Sequence, residues 1–268
     1  LIVSISLQRC YHGPGNFSDK RVREMTRQGV GARLIRKEDD RYMRGRGEFI
    51  GDIRLPGMLD AAFVRSPLAH ARIVSITIPD DIRAQVFTAD DLKNVAPIRA
   101  VSALPGFKPS DQPVLAHEKV RHVGELIAMC VAPPRAEAED LAARVEVEFE
   151  ELPAVHDMLK ARTKESALLH EDWGDNIFLE TLVDDDMKAV AKDAAVKVTR
   201  EFSTARQCMS PIEGRGAVAS WDRRLELLSV HTSTQMPHIV RSGLSESLNI
   251  DHGNIRVITP DVGGGFGY

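Results

Sequence analysis

YMRGRGEFIGDIRLPGMLDAAFVRSPLAHARI, Tyr42 to Ile73, is the stretch on which the fold turns. Its first half is punctuated by Gly45, Gly47, Gly51, Pro56 and Gly57. Glycine adopts positive φ and proline fixes its own φ, so this part reads as turns. The second half is extended chain. Met58 to Arg65 predicts one strand. A second follows from Ala71, where Ile73, Ser75 and Thr77 alternate with Val74, Ile76 and Ile78 at the two-residue period of a pleated strand.

Outward from that stretch, Thr88 with Asp91 three residues on has the form of a capping box, so TADDLKNV predicts a short helix. Val123 to Ala132 is a continuous apolar run of strand length. Pro133 and Pro134 then precede RAEAEDLAARV, a helix whose early acids suit its free amides and dipole. VEVEFEEL returns to period two, with Val145, Val147 and Phe149 on one face and glutamates on the other. This order predicts a compact α+β domain over residues 29–152. Residues 153–190, carrying Pro153, WGDN and the run Asp184, Asp185, Asp186, predict a surface linker. A second domain is expected over 191–268, opening around AAVKVTREFSTA. There, AVASWDRRLELLSVHTST reads as two strands about Asp222 and Arg223. PHIVRSGLSESLNI reads as a helix from Pro237 to Asn249, with Ile239, Val240, Leu244 and Leu248 on one side. The DHGN turn, the strand IRVIT and DVGGGFGY complete it.

Composition narrows the classes. Of 268 residues, 43% are hydrophobic and only 5% aromatic, which predicts cores of Val, Ile, Leu and Ala. The net charge of −4 argues against nucleic acid, because phosphate binding wants a clustered basic face. Lys20 to Arg46 is the one basic concentration, and acids interrupt it; it reads as a solvated lead-in. Residues 1–28 are expected to be disordered or an artefact of the reading frame, with Met25 as an internal start. No apolar run reaches the ~20 residues of a membrane helix. Cys10, Cys130 and Cys208 are dispersed without a CxxC, which gives no zinc or iron–sulfur site and fits reduced thiols in a cytoplasm.

Three successive glycines at 263–265 cost unfolded-state entropy, and they make sense where a ligand must approach the backbone. Alone, GGGFG is an ordinary glycine-rich turn. It lacks the lysine of a phosphate loop and the helix after a dinucleotide loop, so nucleotide binding is disfavoured. Read with its neighbours it says more. Gly45 to Ile73 resembles the opening of the α/β hammerhead domain in the molybdopterin-binding large subunits of the xanthine dehydrogenase, aldehyde oxidase and aerobic carbon monoxide dehydrogenase family. VGELIAMCVA and RAEAEDLAARVEVEFEELPAV match the later half of that domain. SPIEGRGAVA, STQMPH and DVGGGFG match, in order, the first part of the molybdopterin-binding domain.

The resemblance implies an α+β fold, a hammerhead domain followed by an incomplete molybdopterin-binding domain. It implies a molybdenum hydroxylase that oxidises an aldehyde or N-heteroaromatic carbon with water as oxygen source. By the same resemblance, the cofactor is molybdopterin, in a cytosine dinucleotide form, with FAD and 2Fe-2S clusters on a medium and a small partner subunit. Gln235 is similar to the glutamine that hydrogen-bonds an oxygen on molybdenum, and an amide suits that role because it donates without adding charge. Gly264, Gly265, Phe266 and Gly267 look like the loop that meets the cofactor through backbone N–H groups; Phe266 is equally open to plain packing. Glu213 matches a family position with a structural reading, holding strand register. His70 and His238 stand in different domains without partners at ligand spacing and read as core or surface histidines; Arg65 and Arg72 read as local pairs with acids or as caps on the hammerhead surface. Tyr268 stands where many relatives have glycine. The family's catalytic glutamate falls outside these residues, so the separate chain is expected to be inactive. A non-catalytic assembly module and a truncated frameshift product stand as the alternatives.

Overall fold

A computed structural model describes residues 29–32, 34, 36–182, 191–192, 194–205 and 207–267. The 1–28 lead-in, the aspartate run 184–186 and Tyr268 lie outside the described residues. The chain divides into two compact units, Leu1–Glu48 with Asp184–Ile212, and Phe49–Val183 with Glu213–Tyr268.

The first unit holds a short helix, α1 (Asp39–Met43), with Asp39 and Asp40 in its first turn. Arg44 returns to Asp40 across one turn at 2.8 Å. Such an exposed i,i+4 pair adds only a few tenths of a kcal/mol. The described residues between 194 and 205 form no strand, and this stretch falls in the first unit rather than beginning the second.

The second unit is built on β7 (Leu126–Ala132), the apolar run anticipated above. It pairs antiparallel with β1 (Asp60–Arg65), setting Ala62 opposite Cys130, and on its other side with β3 (Val86–Phe87). Both faces of β7 are covered, which is why its sequence shows no alternation. Ala128, Cys130 and Ala132 join Ala62, Val86 and Ile82 beneath α2 (Arg135–Ala143), where Ala138 and Leu141 point inward one turn apart. Ile127 faces the opposite way, into a second cluster with Ala71, Ala116 and Val120.

That second cluster lies under β2 (Ala71–Thr77), which pairs with β6 (Lys119–Val120) and β8 (Glu146–Glu151). On β8, Val147 and Phe149 are half-buried while Glu146, Glu148 and Glu150 face solvent, as the period-two pattern requires. The Thr88 box forms: the Asp91 carboxylate accepts from the Thr88 N–H at 2.8 Å. It caps a single 3-10 turn, Ala89–Leu92, instead of a full helix. A further pair, β4 (Ile98–Arg99) and β5 (Asp111–Gln112), carries no apolar periodicity that the sequence could have announced.

Residues 153–182 are tied down rather than loose. Lys119, almost fully buried, pairs with Glu171, and Lys108 meets Asp175 at 2.6 Å. The Asn176 side chain accepts from the Leu169 N–H and donates to the Ala167 carbonyl at 2.8 Å. His70 is buried with Nδ1 on the Pro153 carbonyl at 2.8 Å, a core histidine. Arg72 pairs with Glu150, whereas Arg65 caps the Gly124 carbonyl.

The same unit ends in a further three-stranded sheet. β9 (Ala217–Asp222) and β10 (Leu227–Thr232) form a hairpin, its turn closed by Asp222 Oδ1 accepting from Arg224 and Leu225. α3 (Pro237–Leu248) then crosses over to β11 (Ile255–Ile258), which lies parallel to β10. Asn249 ends α3 in the left-handed region at φ +53°, a conformation asparagine tolerates.

Candidate functional site

β10, α3 and β11 make a β-α-β unit. In such units the loops at the carboxyl ends of the strands lie side by side, and ligands bind in the crevice they form. Here those loops are 233–236, carrying Gln235, and 259–267, carrying the glycines. The parallel register, Leu228 against Ile255 through His231 against Ile258, brings both loops to one end of the sheet.

They meet. A Cβ on Gly265 would overlap the Gln235 side-chain oxygen and lie 2.6 Å from its amide carbon. Only glycine permits the Gln235 amide to rest on the loop backbone. Gly264 and Gly267 take φ of +132° and +94°, values that L side chains rarely adopt. Phe266 also sits in the left-handed region, at φ +51°, and the residue is 64% exposed. It is not a core side chain in this structure, and the loop presents it outward. None of the backbone N–H groups of 264–267 has an acceptor among the described residues. The loop thus offers unsatisfied donors beside a neutral amide, an arrangement that suits anionic oxygen or sulfur.

The surroundings fix both loops. The Gly263 N–H donates to Glu213 Oε2 at 2.7 Å, and the Glu213 N–H returns to the Gly263 carbonyl at 3.2 Å. Thr232 Oγ1 donates to the Gly216 carbonyl at 2.9 Å, and the Met236 N–H donates to Thr234 Oγ1 at 3.1 Å. Pro237 opens α3 two residues after Gln235, so the free first-turn amides of the helix belong to this same end. His238 is exposed on the first turn of α3. No three His, Cys, Asp or Glu side chains converge as a metal cluster among the described residues.

Sequence reasoning singled out Gln235 and Gly264–Gly267, and the structure brings Gln235 onto Gly265. It did not find Ile50, whose backbone N–H donates to Glu213 Oε1 at 3.1 Å across 163 residues. No local pattern marks such a contact, because the donor is a backbone group common to nearly every residue.

Comparison with known proteins accounts for both halves. Residues 44–153 match the α/β hammerhead domain of aldehyde oxidase and xanthine dehydrogenase, and residues 169–268 match the molybdopterin cofactor-binding domain. The chain belongs to the xanthine dehydrogenase and aldehyde oxidase family. Within that family it is 35% identical over 249 residues to the nicotine 6-hydroxylase large subunit of Paenarthrobacter nicotinovorans, covering 91% of this chain and 30% of that protein. To the carbon monoxide dehydrogenase large chain of Hydrogenophaga pseudoflava it is 33% identical, covering 93% of this chain and 33% of that one. The structure of quinoline 2-oxidoreductase from Pseudomonas putida 86 superposes with a TM-score of 0.80 at 39% identity, over 87% of this chain and 30% of its own. The chain therefore spans about a third of the length of these three proteins.

Proposed function

We propose that this chain forms one wall of a molybdopterin site in a molybdenum hydroxylase, with Gln235 and the backbone of Gly264, Gly265, Phe266 and Gly267 facing the cofactor. The observation that carries this reading is the contact of the Gln235 amide with Gly265 at the carboxyl ends of β10 and β11. The residues present fit such a group: they are hydrogen-bond donors, suited to hold a cofactor that brings its own metal ligands. When bound, that cofactor supplies oxidative hydroxylation at carbon, with water as the source of oxygen. Gln235 would orient it through an N–H without adding charge, and the glycine loop would meet it with backbone donors.

In this reading the cofactor is the cytosine dinucleotide form, and FAD and 2Fe-2S clusters reside on partner subunits in the cytoplasm. The substrate is an aldehyde or N-heteroaromatic compound, and the general base comes from polypeptide outside these residues. Molybdenum and pterin analysis tests the proposal. Both are expected in the complex purified with its partner polypeptides and absent from the isolated chain, which turns over no substrate. Aldehyde turnover by the isolated 268-residue chain, or a partner complex without pterin, would overturn it. Acid release of the nucleotide distinguishes the cytosine form from the simple pterin.

A further inference from the structure

We propose that Glu213 is the positioning residue of the glycine loop: one carboxylate grips Gly263 and Ile50 together and thereby holds Gly264–Gly267 against Gln235. The purpose of that loop rests on the cofactor reading above; the grip itself belongs to this chain's own geometry.

The two carboxylate oxygens accept from two amides that are remote in sequence. Oε2 takes the Gly263 N–H at 2.7 Å, and Oε1 takes the Ile50 N–H at 3.1 Å. The Glu213 N–H donates to the Gly263 carbonyl, so Gly263 is held at both its N–H and its C=O. Gly263 also has to be bare. A Cβ there would collide with Glu213 Cβ and lie 3.2 Å from Oε2. Two residues further on, the space a Cβ would need at Gly265 is filled by Gln235. The Ile50 end is close as well, since a Cβ on Gly216 would lie 3.0 Å from Ile50 Cγ2. Gly216 is bonded in turn to Thr232, at the carboxyl end of β10 and three residues before Gln235. Hydrogen bonds thus join Ile50 through Glu213 to Gly263 and the loop, while Gly216, close to Ile50, is bonded to the end of the strand that leads to Gln235.

A carboxylate suits this place because it only accepts, and each of its partners is a donor. Bonds from backbone N–H to an ionised acceptor are short and strong. Glutamine has a single acceptor oxygen and would turn an NH2 toward one of the two donors.

Glu213→Gln and Gly263→Ala test the inference, by hydrogen exchange and amide NMR on the 268-residue chain and by pterin release from the assembled complex. In E213Q the Gly263 and Ile50 amides exchange about tenfold faster or more. The Gln235 side-chain amide resonances shift, while the β7 amides keep wild-type protection. G263A leaves the carboxylate intact and moves Gln235 in the same way. Both variants release pterin at least about tenfold faster than wild type, a difference a merely structural role would not produce with β7 unmoved. Wild-type exchange at Gly263 and Ile50 in E213Q, or unmoved Gln235 resonances in G263A, overturns the assignment. Should E213Q lose β7 protection, G263A alone decides. A wild-type complex without pterin refutes the cofactor reading and leaves the exchange data to judge Glu213.

Discussion

Gly265 shows how much a single missing Cβ can carry. The Gln235 amide fills the space that any larger residue would need, so Gly265→Ala forces either the loop or the amide to move. In a rigid core such overpacking costs about 1–3 kcal/mol, and it costs less where the neighbours can move aside. The displaced part is a surface loop, so G265A is expected to keep a near-wild-type melting temperature while its complex loses most of its pterin. A variant with full pterin content would show that the Gln235 contact is dispensable. The cysteines give an independent test. Burial in the middle of β7 pushes the Cys130 thiol up, whereas Cys208 is exposed. Thiolate is the reactive form. A thiol reagent at neutral pH should therefore label Cys208 in the native chain and reach Cys130 only after unfolding. The sequence announced Cys130, because its run is apolar throughout. It could not announce the partners of Glu213, since nothing in SPIEGRG specifies which distant amides it will meet.

Elements depend on how they end and on what ties them down. Asn249 closes α3 at positive φ, with the Ile250 N–H on the Ser245 carbonyl. A β-branched residue there costs about 1–2 kcal/mol. Asn249→Val should accordingly lower the melting temperature by several degrees, and Asn249→Gly should leave it nearly unchanged, as thermal denaturation will show. The segment around Trp173 responds to pH. Burial, with the charges of Arg121 and Lys119, pushes His170 below its ordinary 6.5, and its ring stacks on Trp173 with centroids 4.3 Å apart. Its contribution is present above pH 6.5 and is lost as pH falls through the depressed value. The hydrogen bond from Lys119 holds the Glu171 carboxyl below its usual 4.5, so that contribution is present above 4.5 and disappears at still lower pH. Trp173 fluorescence in a Trp221→Phe background should report loosening in two acid stages, and Glu171→Gln should abolish the lower one. A flat titration through both windows would contradict this account. The sequence suggested a linker here. Its anchors, Lys119 with Glu171 and Lys108 with Asp175, pair residues 52 and 67 positions apart, a distance at which local patterns carry no information.

For the molecule as a whole, the hammerhead residues and the β-α-β unit fall in one compact unit, Phe49–Val183 with Glu213–Tyr268. The chain has two tryptophans: Trp173, whose carbonyl accepts from Lys108 of the hammerhead residues, and Trp221, on β9 beside the β-α-β unit. A single cooperative unit requires that Trp173→Phe and Trp221→Phe variants, each reporting from the remaining ring, unfold at the same denaturant midpoint. Two separated midpoints would mean that the parts are independent. Cavity formation at Ile127, fully buried in β7, should cost about 2–5 kcal/mol and lower both signals together in Ile127→Ala.

The sequence by itself determined the main elements of the second unit and the family. Strand period in β2 and β8, the unbroken apolar run of β7, proline before α2 and at the start of α3, and Asn249 after α3 are all local. Side chains a few residues apart set φ, ψ and which face is buried, so these features can be read in order along the chain. Tertiary structure alone decided that Gln235 rests on Gly265, that Glu213 joins Gly263 to Ile50, and that residues 153–182 are anchored. Each of these is an agreement between groups far apart in sequence. Such groups meet only because strand pairing and core burial have already brought their backbones within hydrogen-bond reach.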